Sequence, residues 1–589
     1  MRIKNEYRSE LLQACQGVIR NDLVIKNVNI VNVFTGEVIL GHIGVYKGFI
    51  SYIEYAERCT IQANKAYDYA GKYAIPGLID SHVHIESSMM IPKNFCASVL
   101  PHGTTTVITD PHEIANVMGV DGVKYMIDSS KDLPMRQYIL APSCIPAVLD
   151  LEEAGSAFGW KEISEILKLD NVLGIAEVMD FIGVINDEPR MKEILEYGLE
   201  KDVFIQGHSP FLSKNGLAAY LCGGPASDHE CSDYNEVLEK MRYGMYIDGR
   251  ETSIVQNIET IVSACKDLKY KDYLTICTDD REPEDILHQG HVNYVVNCAI
   301  KAGLDPIDAI KCSTLNTARE VGIANLGAIA PGYAADIVIC DNIIEIKPAA
   351  VFSKGMLVAE NGKLKVEIAE KKYQVEEVNT VNIPDISIND LKINSLIDNG
   401  TATINAIGCD DLSPYSVKEE VEVEIREGYV DLEGQADLSY VAVINRHGHN
   451  NISLGVVKNF GLKEGAVACT ISHDSHNLTV VYDKPENAML CIKELKKLKG
   501  GLACAVDGKI TAGLQLEVAG LMTRTPCEEL AKNVDKMKQA LKKQGLANVH
   551  NPILRIAILA LPVIPEFVIT DKGLVDVLTK QFVPLFKSE

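Results

Sequence analysis

Eight short apolar runs alternate with helical stretches between about residues 73 and 324 of this 589-residue chain. The runs cover residues 74–84, 104–109, 137–141, 172–177, 203–208, 226–230, 245–248 and 274–278. Strands that are separated by helices favour parallel pairing, because a parallel connection needs a long crossover. Eight such units predict an α/β fold built on a closed (β/α)8 barrel of the TIM type.

Runs typical of β-strands flank the predicted barrel on both sides. Residues 22–33, 41–46 and 48–53 precede it, and residues 327–340 and 351–360 follow it. They suggest two halves of one small β-sandwich module, into which the barrel is inserted. Residues 371–389 are interpreted as a linker before a mixed α/β domain, which has predicted strands at 440–445, 466–471 and 478–482 and a helix at 526–544. The predicted domain boundaries are 1–73, 74–324, 325–385 and 386–589.

Composition excludes several classes of protein. The net charge of −24 argues against nucleic acid as a partner, since no basic run could neutralise phosphates. The 16 cysteines include no Cys-x-x-Cys pair, which favours reduced thiols and a cytoplasmic protein. The N-terminus lacks the apolar core of a signal peptide. The most apolar stretch, residues 553–569, is interrupted by charged and proline residues, so we expect a packed segment and no membrane association.

Polar side chains recur where the predicted barrel strands end. They are His82, His84, Glu177, His208, His229 and Asp279. Each has an ordinary structural explanation as well, such as a buried histidine, a carboxylate paired with a base, a histidine in a turn or a helix cap. Active sites of such barrels lie at the carboxyl ends of the strands. The joint occurrence of the six residues therefore predicts a functional site there.

The same residues suit a pair of divalent cations. His82 and His84 are two positions apart on a strand and so point to one side, which Asp80 shares. Four imidazoles and two carboxylates exceed the ligands of one tetrahedral site. Glu177 has two oxygens and can bridge two cations, which would lower the pKa of a shared water. Asp279 is the candidate group that takes the proton from that water and returns it to a leaving group.

Two segments resemble motifs of the amidohydrolase superfamily. Pro76-Gly-Leu-Ile-Asp-Ser-His-Val-His84 resembles its first barrel strand, and Ala330-Pro-Gly-Tyr-Ala-Ala-Asp-Ile-Val338 resembles its return into the β-module. Many members carry a carboxylated lysine on strand 4, where this chain has Glu177. That departure is the pattern of the adenine deaminase family. Motifs similar to those of that family also occur at residues 84–89, 110–116, 174–177, 227–230, 278–280 and 472–477, so the resemblance covers nearly the whole chain.

The resemblance implies hydrolysis of adenine to hypoxanthine and ammonia by a metal-bound hydroxide. It implies that His82 and His84 ligate one metal, that Glu177 bridges and that His208 ligates the second metal. His229 would be the polarising group and Asp279 the proton shuttle, also near the metal. The expected cofactors are two divalent ions, Mn²⁺ or Fe²⁺ in preference to Zn²⁺. Adenine is the expected partner, and a homo-oligomer, either a dimer or a tetramer, is left open.

Three further residues are candidates for binding the substrate. Glu86 would share a face with His84 if the strand continued, and could then hydrogen-bond a purine nitrogen. A carboxylate at a helix N-terminus is the equally good alternative. His112 and Glu113 follow the second strand and would either line the mouth of the barrel or cap a loop.

The C-terminal domain adds four histidines whose role is open. His447, His449, His473 and His476 look like a metal cluster by composition, but we expect them to form a lid or to lie on the surface, without a third metal. Two alternatives to adenine deamination also remain open. One is another activity of the amidohydrolase superfamily, on a different nucleobase or a cyclic amide. The other is a metal-free barrel that only binds.

Overall fold

The computed structural model describes residues 5–253, 255–369, 379–410, 415–435, 437–563 and 566–587. Residues 371–378 of the predicted linker therefore lie outside the described part. No helix within it is both long and apolar enough to cross a membrane. Its α-helices are Asn5–Cys15, Pro92–Val99, His112–Ser130, Trp160–Ile166, Phe181–Ile185, Pro189–Glu200, Lys214–Cys222, Tyr234–Arg242, Ile258–Cys265, Pro283–His288, Val292–Lys301, Pro306–Lys311, Thr317–Glu320, Pro485–Leu498, Cys527–Leu541 and Pro552–Ala557.

Short strands lie at all the positions that the apolar runs predicted between residues 78 and 277. We number them central strands 1 to 8: Leu78–Val83, Thr104–Thr109, Arg136–Ala141, Val172–Val178, Phe204–Gly207, Ser227–Asp228, Tyr246–Arg250 and Leu274–Cys277. Strands 1 to 5 pair in parallel in sequence order, and strands 6 to 8 do the same. Their residues are almost all buried, as in parallel sheets that helices cover. The fold is thus α/β with a curled parallel sheet.

Backbone hydrogen bonds connect the two groups of central strands on both sides. Ala226 N donates to Ile205 O over 2.9 Å, which joins strand 5 to the start of strand 6. Asp279 N donates to His82 O over 2.9 Å, beside a parallel bridge between Val83 and Asp279. The carboxyl ends of strands 1 and 8, which are nearly 200 residues apart, are therefore neighbours.

A second sheet combines strands from before and after the central strands. It contains Asn21–Asn32, Glu37–Tyr46, Phe49–Glu54, Ala63–Asp68, Tyr73–Pro76, Ile337–Cys340, Pro348–Ser353, Met356–Glu360 and Lys363–Leu364. The two parts meet where Tyr73–Pro76 pairs with Ile337–Cys340. All nine strands are bonded into one sheet, whereas a sandwich implies two separate sheets. Residues of both parts nevertheless share one small hydrophobic core.

The prediction of a single strand at residues 74–84 was wrong, because this stretch contains two strands that belong to different sheets. The chain changes sheets at Gly77, where a Cβ atom would lie 2.3 Å from Thr105 Oγ1 and 2.8 Å from Asp336 Cβ. Gly77 N donates to Asp336 O over 2.8 Å. The apolar pattern could not reveal this break, because both strands are buried and read as one run.

The C-terminal region forms a third sheet of nine strands. They are Gly400–Gly408, Val417–Arg426, Tyr429–Asp431, Leu438–Ile444, Ile452–Lys458, Ala466–Cys469, Leu478–Tyr482, Gly501–Val506 and Lys509–Gln515. A small separate sheet follows, made of Phe567–Thr570, Gly573–Asp576 and Gln581–Phe582. The predicted helix 526–544 spans Cys527–Leu541 and buries the expected apolar side chains, Leu530, Val534, Met537 and Leu541. A π-helical turn, Lys542–Leu546, follows it.

The C-terminal region is bonded directly to the loops at the ends of the central strands. Thr523 N donates to Met89 O over 2.9 Å, and Asn477 Nδ2 donates to Glu153 O over 2.8 Å. Lys538 Nζ donates to Glu282 Oε2 over 2.5 Å. One hydrophobic cluster also runs through both regions without interruption. The C-terminal region therefore covers the carboxyl ends of the central strands.

Gly77→Ala is expected to destabilise the protein, because the new methyl group would overlap with Thr105 and Asp336 where the chain changes sheets. Overpacking of this kind lowers the free energy of unfolding by about 1–3 kcal/mol, which calorimetry measures as a lower Tm. Gly513→Ala, within the strand Lys509–Gln515, is the control, since its Cβ would meet only Leu498 Cδ1 at 3.6 Å. Equal Tm values for the two variants would contradict the steric role of Gly77.

Candidate metal centre and substrate pocket

Glu177, near the end of central strand 4, is surrounded by imidazoles. Its Oε2 lies 2.7 Å from His208 Nδ1 and 3.3 Å from His229 Nε2. Its Oε1 lies 3.4 Å from His84 Nε2 and 3.5 Å from His112 Nδ1. The two oxygens of one carboxylate thus face different pairs of histidines. This arrangement fits a carboxylate shared between two cations.

His82 and His84 are held so that one nitrogen of each ring is available as a ligand. His82 Nδ1 lies 2.8 Å from Gln206 Oε1, and His84 Nδ1 lies 3.0 Å from the carbonyl oxygen of Asp110. Both partners are acceptors, because the Gln206 amide nitrogen donates to another carbonyl. Nδ1 therefore carries a proton in both rings, which leaves Nε2 as the nitrogen that can bind a metal ion.

The Nε2 atoms of His82 and His84 converge on the same two carboxylates. His82 Nε2 lies 3.8 Å from Asp279 Oδ1 and 3.9 Å from Glu177 Oε1, and His84 Nε2 lies 3.4 Å from both. His82 Nε2 is buried without a hydrogen-bond partner among the described residues, which is unfavourable unless another group takes its lone pair. The donor atoms of His82, His84 and Asp279 lie within 4.8 Å of one another. This donor set fits a divalent metal ion.

Asp279 follows central strand 8 and is oriented by a buried arginine. Its Oδ2 accepts a hydrogen bond from Arg250 Nη1, which also lies 2.8 Å from Glu230 Oε1. Its backbone φ of 54° lies in the left-handed region, which residues other than glycine seldom adopt, and the hydrogen bond to His82 O holds it there. One oxygen of Asp279 is thereby fixed, and the other faces the histidines.

Opposing effects set the pKa of both carboxylates. Burial raises the pKa of Glu177, but hydrogen bonds from His208, His229 and His84 bring the pKa of this carboxylate well below its usual value. Burial also raises the pKa of Asp279, but the Arg250 guanidinium outweighs burial and brings it well below its usual value. Both groups are therefore ionised near neutral pH, as ligands of a cation must be.

A buried charged network fixes the chain next to His208 and His229. Lys240 Nζ donates to Ser209 O over 2.6 Å and to Asp228 Oδ2 over 3.0 Å, and Ser209 N donates to Asp228 Oδ1 over 2.7 Å. Lys240 and Asp228 are fully buried, so each charge depends on the other. His208 precedes Ser209 and His229 follows Asp228, so the network sets the relative position of these two imidazoles.

A pocket lies beside the segments that follow two of the clustered residues, because its wall includes Glu86, two positions after His84, and Asp280, next to Asp279. Glu86, Glu113 and Asp280 supply polar groups to its wall. Glu86 Oε1 accepts a hydrogen bond from a backbone N–H over 3.3 Å, and its Oε2 is buried without a partner among the described residues. Part of the wall is apolar and comes from the C-terminal region: Ile471, Leu521, Ile553, Leu554 and Ala557. Further polar groups of the wall come from Ser87, Ser253, Glu282, His473 and Asn551. A wall with apolar side chains on one part and hydrogen-bonding groups on another suits a flat heteroaromatic ring with ring nitrogens.

The four C-terminal histidines do not form one cluster. His473 Nδ1 lies 3.0 Å from Glu113 Oε1, and His476 Nε2 lies 2.7 Å from Glu113 Oε2. His447 Nε2 lies 2.7 Å from the carbonyl oxygen of Ser475, and His449 is exposed. Of the four, His473 lines the pocket, and His476 contacts Glu113, which also lines it.

The structure brings together the six residues predicted from the strand ends. Two predictions about neighbouring residues, Glu86 and Asp80, need correction. Central strand 1 ends at Val83, so Glu86 is not on its face; it begins a short 3-10 helix, Glu86–Ser88. Asp80 does not join the cluster, because its Oδ2 accepts a hydrogen bond from Thr278 Oγ1 over 2.5 Å. His112 lies closer to Glu177 than expected for a residue that lines the mouth.

Sequence reasoning missed three residues that act on this cluster. Arg250 ends central strand 7, two residues beyond the predicted strand end at 248, and a longer strand would have included it among the terminal polar residues. Asp110 directly follows central strand 2 and was noted only as part of a motif. Gln206 lies within central strand 5, and no sequence signal distinguishes it.

Comparisons with known proteins agree with this geometry. Residues 73–366 match the family model "Amidohydrolase family", and residues 415–581 match "Adenine deaminase C-terminal domain". An adenine deaminase of Kosmotoga olearia is 39% identical over 583 residues, 98% of each chain. Adenine deaminase 2 of Carboxydothermus hydrogenoformans is 38% identical over 584 residues, 98% of this chain and 99% of that one.

Among solved structures, a zinc-bound adenosine deaminase from Xanthomonas campestris matches 59% of this chain and 95% of its own, at 14% identity and a TM-score of 0.46. The full-length relatives confirm the resemblance that the sequence motifs indicated. The chain belongs to the adenine deaminase family.

Proposed function

We propose that the cluster around Glu177 and the adjoining pocket carry out the reaction of the family. That reaction is hydrolysis of adenine to hypoxanthine and ammonia. The observation that carries the proposal is the convergence of four imidazoles on the two oxygens of Glu177, next to a pocket whose walls suit a purine. Full-length similarity to adenine deaminases favours adenine over another nucleobase or a cyclic amide, and enzymatic chemistry over binding alone.

The proposed cofactor is a pair of divalent cations, Mn²⁺ or Fe²⁺ in preference to Zn²⁺. His82 and His84 would hold one ion, His208 the second, and Glu177 both. When bound, such ions lower the pKa of a water and supply hydroxide near neutral pH. The mixed imidazole and carboxylate donors, and the unpartnered His82 Nε2, support this assignment.

Asp279 is the proposed proton carrier. Arg250 holds its Oδ2, which leaves Oδ1 to accept a proton from the attacking water and to deliver it to the departing amine. In this reaction an oxygen bonds to the ring carbon that carries the amino group, and the carbon–nitrogen bond then breaks to release ammonia. His229 Nε2 lies 3.3 Å from Glu177 Oε2. From there it is proposed to stabilise the charge that develops on the substrate as the oxygen attacks the ring carbon.

The substrate is proposed to bind between Glu86, Glu113 and the apolar wall of the C-terminal region. The free Oε2 of Glu86 is available to a purine nitrogen or its hydrogen. His112 Nδ1 lies 3.5 Å from Glu177 Oε1, and this residue is proposed to lie between the substrate and the metal ions. Apolar contacts on the ring would exclude bulk water, so that hydrogen bonds inside the pocket gain strength.

For the fold, we propose a closed (β/α)8 barrel of the eight central strands and the domain boundaries predicted above. The hydrogen bonds beside strands 5 and 6 and beside strands 8 and 1 support closure. Residues 1–73 and 325–385 would then make one module around the barrel, together with residues 74–76, which belong to its sheet, and residues 386–589 would make the C-terminal domain. The homo-oligomeric state stays a prediction, which light scattering can test.

The purified protein, supplied with Mn²⁺, is expected to release one ammonia and one hypoxanthine for each adenine consumed. Chromatography of the purines and an enzymatic ammonia assay measure both products. Protein treated with a chelator and returned to metal-free buffer is the control, and should be inactive. Ammonia from guanine or cytosine but none from adenine would reject the proposed substrate and keep the chemistry.

Glu177→Gln is expected to lower the metal content below two ions per chain and to reduce turnover together with it. The amide has only one oxygen that can act as a ligand, and it carries no charge to offset two cations. Metal analysis by mass spectrometry measures the loss. The control is Glu259→Gln, an exposed glutamate, with both ions expected. Two ions and full turnover in Glu177→Gln would remove the bridging role.

Asp279→Asn is expected to reduce kcat by a factor of about 10²–10⁴, the usual contribution of a general acid–base group. The amide keeps the shape of the side chain but cannot take up the proton. Steady-state kinetics measures the effect, and circular dichroism checks the fold. The control, Asp267→Asn at an exposed site, should keep normal kcat. Near-normal turnover in Asp279→Asn would assign the proton transfer to another group.

A further inference from the structure

One carboxylate in the pocket is held from both sides by the C-terminal region. Glu113 belongs to the helix that follows central strand 2, and its side chain is 4% exposed. His473 Nδ1 lies 3.0 Å from one of its oxygens, and His476 Nε2 lies 2.7 Å from the other. Both histidines belong to a single turn that starts after the strand Ala466–Cys469. Two residues that are about 360 positions from Glu113 thus determine where its oxygens lie.

The turn that carries these histidines is itself anchored. His473 N donates to Ala557 O over 2.9 Å, and the His476 carbonyl accepts from the buried Arg446 guanidinium. Asn477 Nδ2 donates to Glu153 O over 2.8 Å, which ties the turn to the loop after central strand 3. His476 is fully buried. A turn that is fixed at three points can hold a carboxylate in one orientation.

We propose that His473 and His476 are positioning residues, which act through Glu113 to build the part of the pocket that recognises adenine. The C-terminal region would then complete the substrate site instead of only covering it. This inference rests on the proposed function. It predicts an effect on binding of adenine, separate from the metal ions and from the proton transfer at Asp279.

The geometry favours this role over a distant structural one. Glu113 and His473 both line the pocket, together with Glu86 and Asp280. A carboxylate held by two imidazoles cannot turn away from the pocket, and its hydrogen-bonding direction is set before the substrate arrives. Such preorganisation lowers KM, because the substrate does not have to order the group that binds it.

The test uses substitutions that remove or keep the contacting nitrogen. His473→Ala and His476→Ala remove it. His473→Asn and His476→Gln keep an amide nitrogen near the positions of Nδ1 and Nε2, respectively. His449→Ala, an exposed histidine of the same region, is the control. Each full-length variant is loaded with Mn²⁺ and measured for KM, kcat, metal content and Tm.

We expect each alanine variant to raise KM for adenine about tenfold or more, as for the loss of a close partner of a buried charge. We expect kcat to change less than KM, and the metal content to equal that of the unaltered protein. The amide variants should recover most of the affinity, which a merely structural loss would not allow. His449→Ala should leave all four quantities unchanged.

A double-mutant cycle with Glu113→Gln tests whether the histidines act through Glu113. In that background, His473→Ala and His476→Ala should raise KM by less than about threefold, because the group that they position has already been altered. Full additivity would overturn the proposal. So would a third metal ion in the unaltered protein that the alanine variants lack, since the imidazoles would then be ligands. An unaltered protein without adenine hydrolysis would instead defeat the proposed function itself.

Discussion

The arrangement of the whole protein depends on one buried carboxylate that must satisfy several imidazoles at once. Glu177 can meet His84, His208 and His229 only if central strands 1, 4, 5 and 6 end at the same level. Parallel strands in a curled sheet provide that level, because their carboxyl ends all face one way. Charges and lone pairs gathered in this manner are unfavourable in a protein interior unless each has a partner. Many of the surrounding residues serve as these partners.

Residues around the Glu177 cluster fix the orientation of each side chain that is proposed to bind a metal ion. Gln206 and the Asp110 carbonyl select the tautomers of His82 and His84, and Arg250 selects the orientation of Asp279. Farther out, Lys240 ties together the segments that carry His208 and His229. The C-terminal region adds apolar side chains to the wall of the adjoining pocket. Catalysis of a hydrolysis by fixed groups needs this rigidity, because misplaced ligands and acids lose their effect within about an ångström.

The sequence predicted the central strands and the polar residues at their ends because both leave local signals. A short buried strand is an apolar run, and a functional residue at its end is a polar interruption. What the sequence did not contain was pairing across long distances. The contact of Glu113 with His473 and His476, the orientation of Asp279 by Arg250 and the role of Gln206 each join segments whose relative position only the fold determines. The break at Gly77 was hidden because a glycine in an apolar run is a weak signal by itself.

The hydrogen bond between Gly77 and Asp336 joins the two points at which the chain leaves and re-enters one nine-stranded sheet. This is the sheet that combines strands from before and after the central strands. Everything between the two points, including all the central strands, is a loop whose ends are closed by that sheet. The entropy lost on closing a flexible loop grows only with the logarithm of its length. A sheet assembled from two distant pieces of chain therefore tolerates a very long intervening segment almost as well as a short one. Insertions or deletions in that segment would leave the strand pairing of the sheet intact.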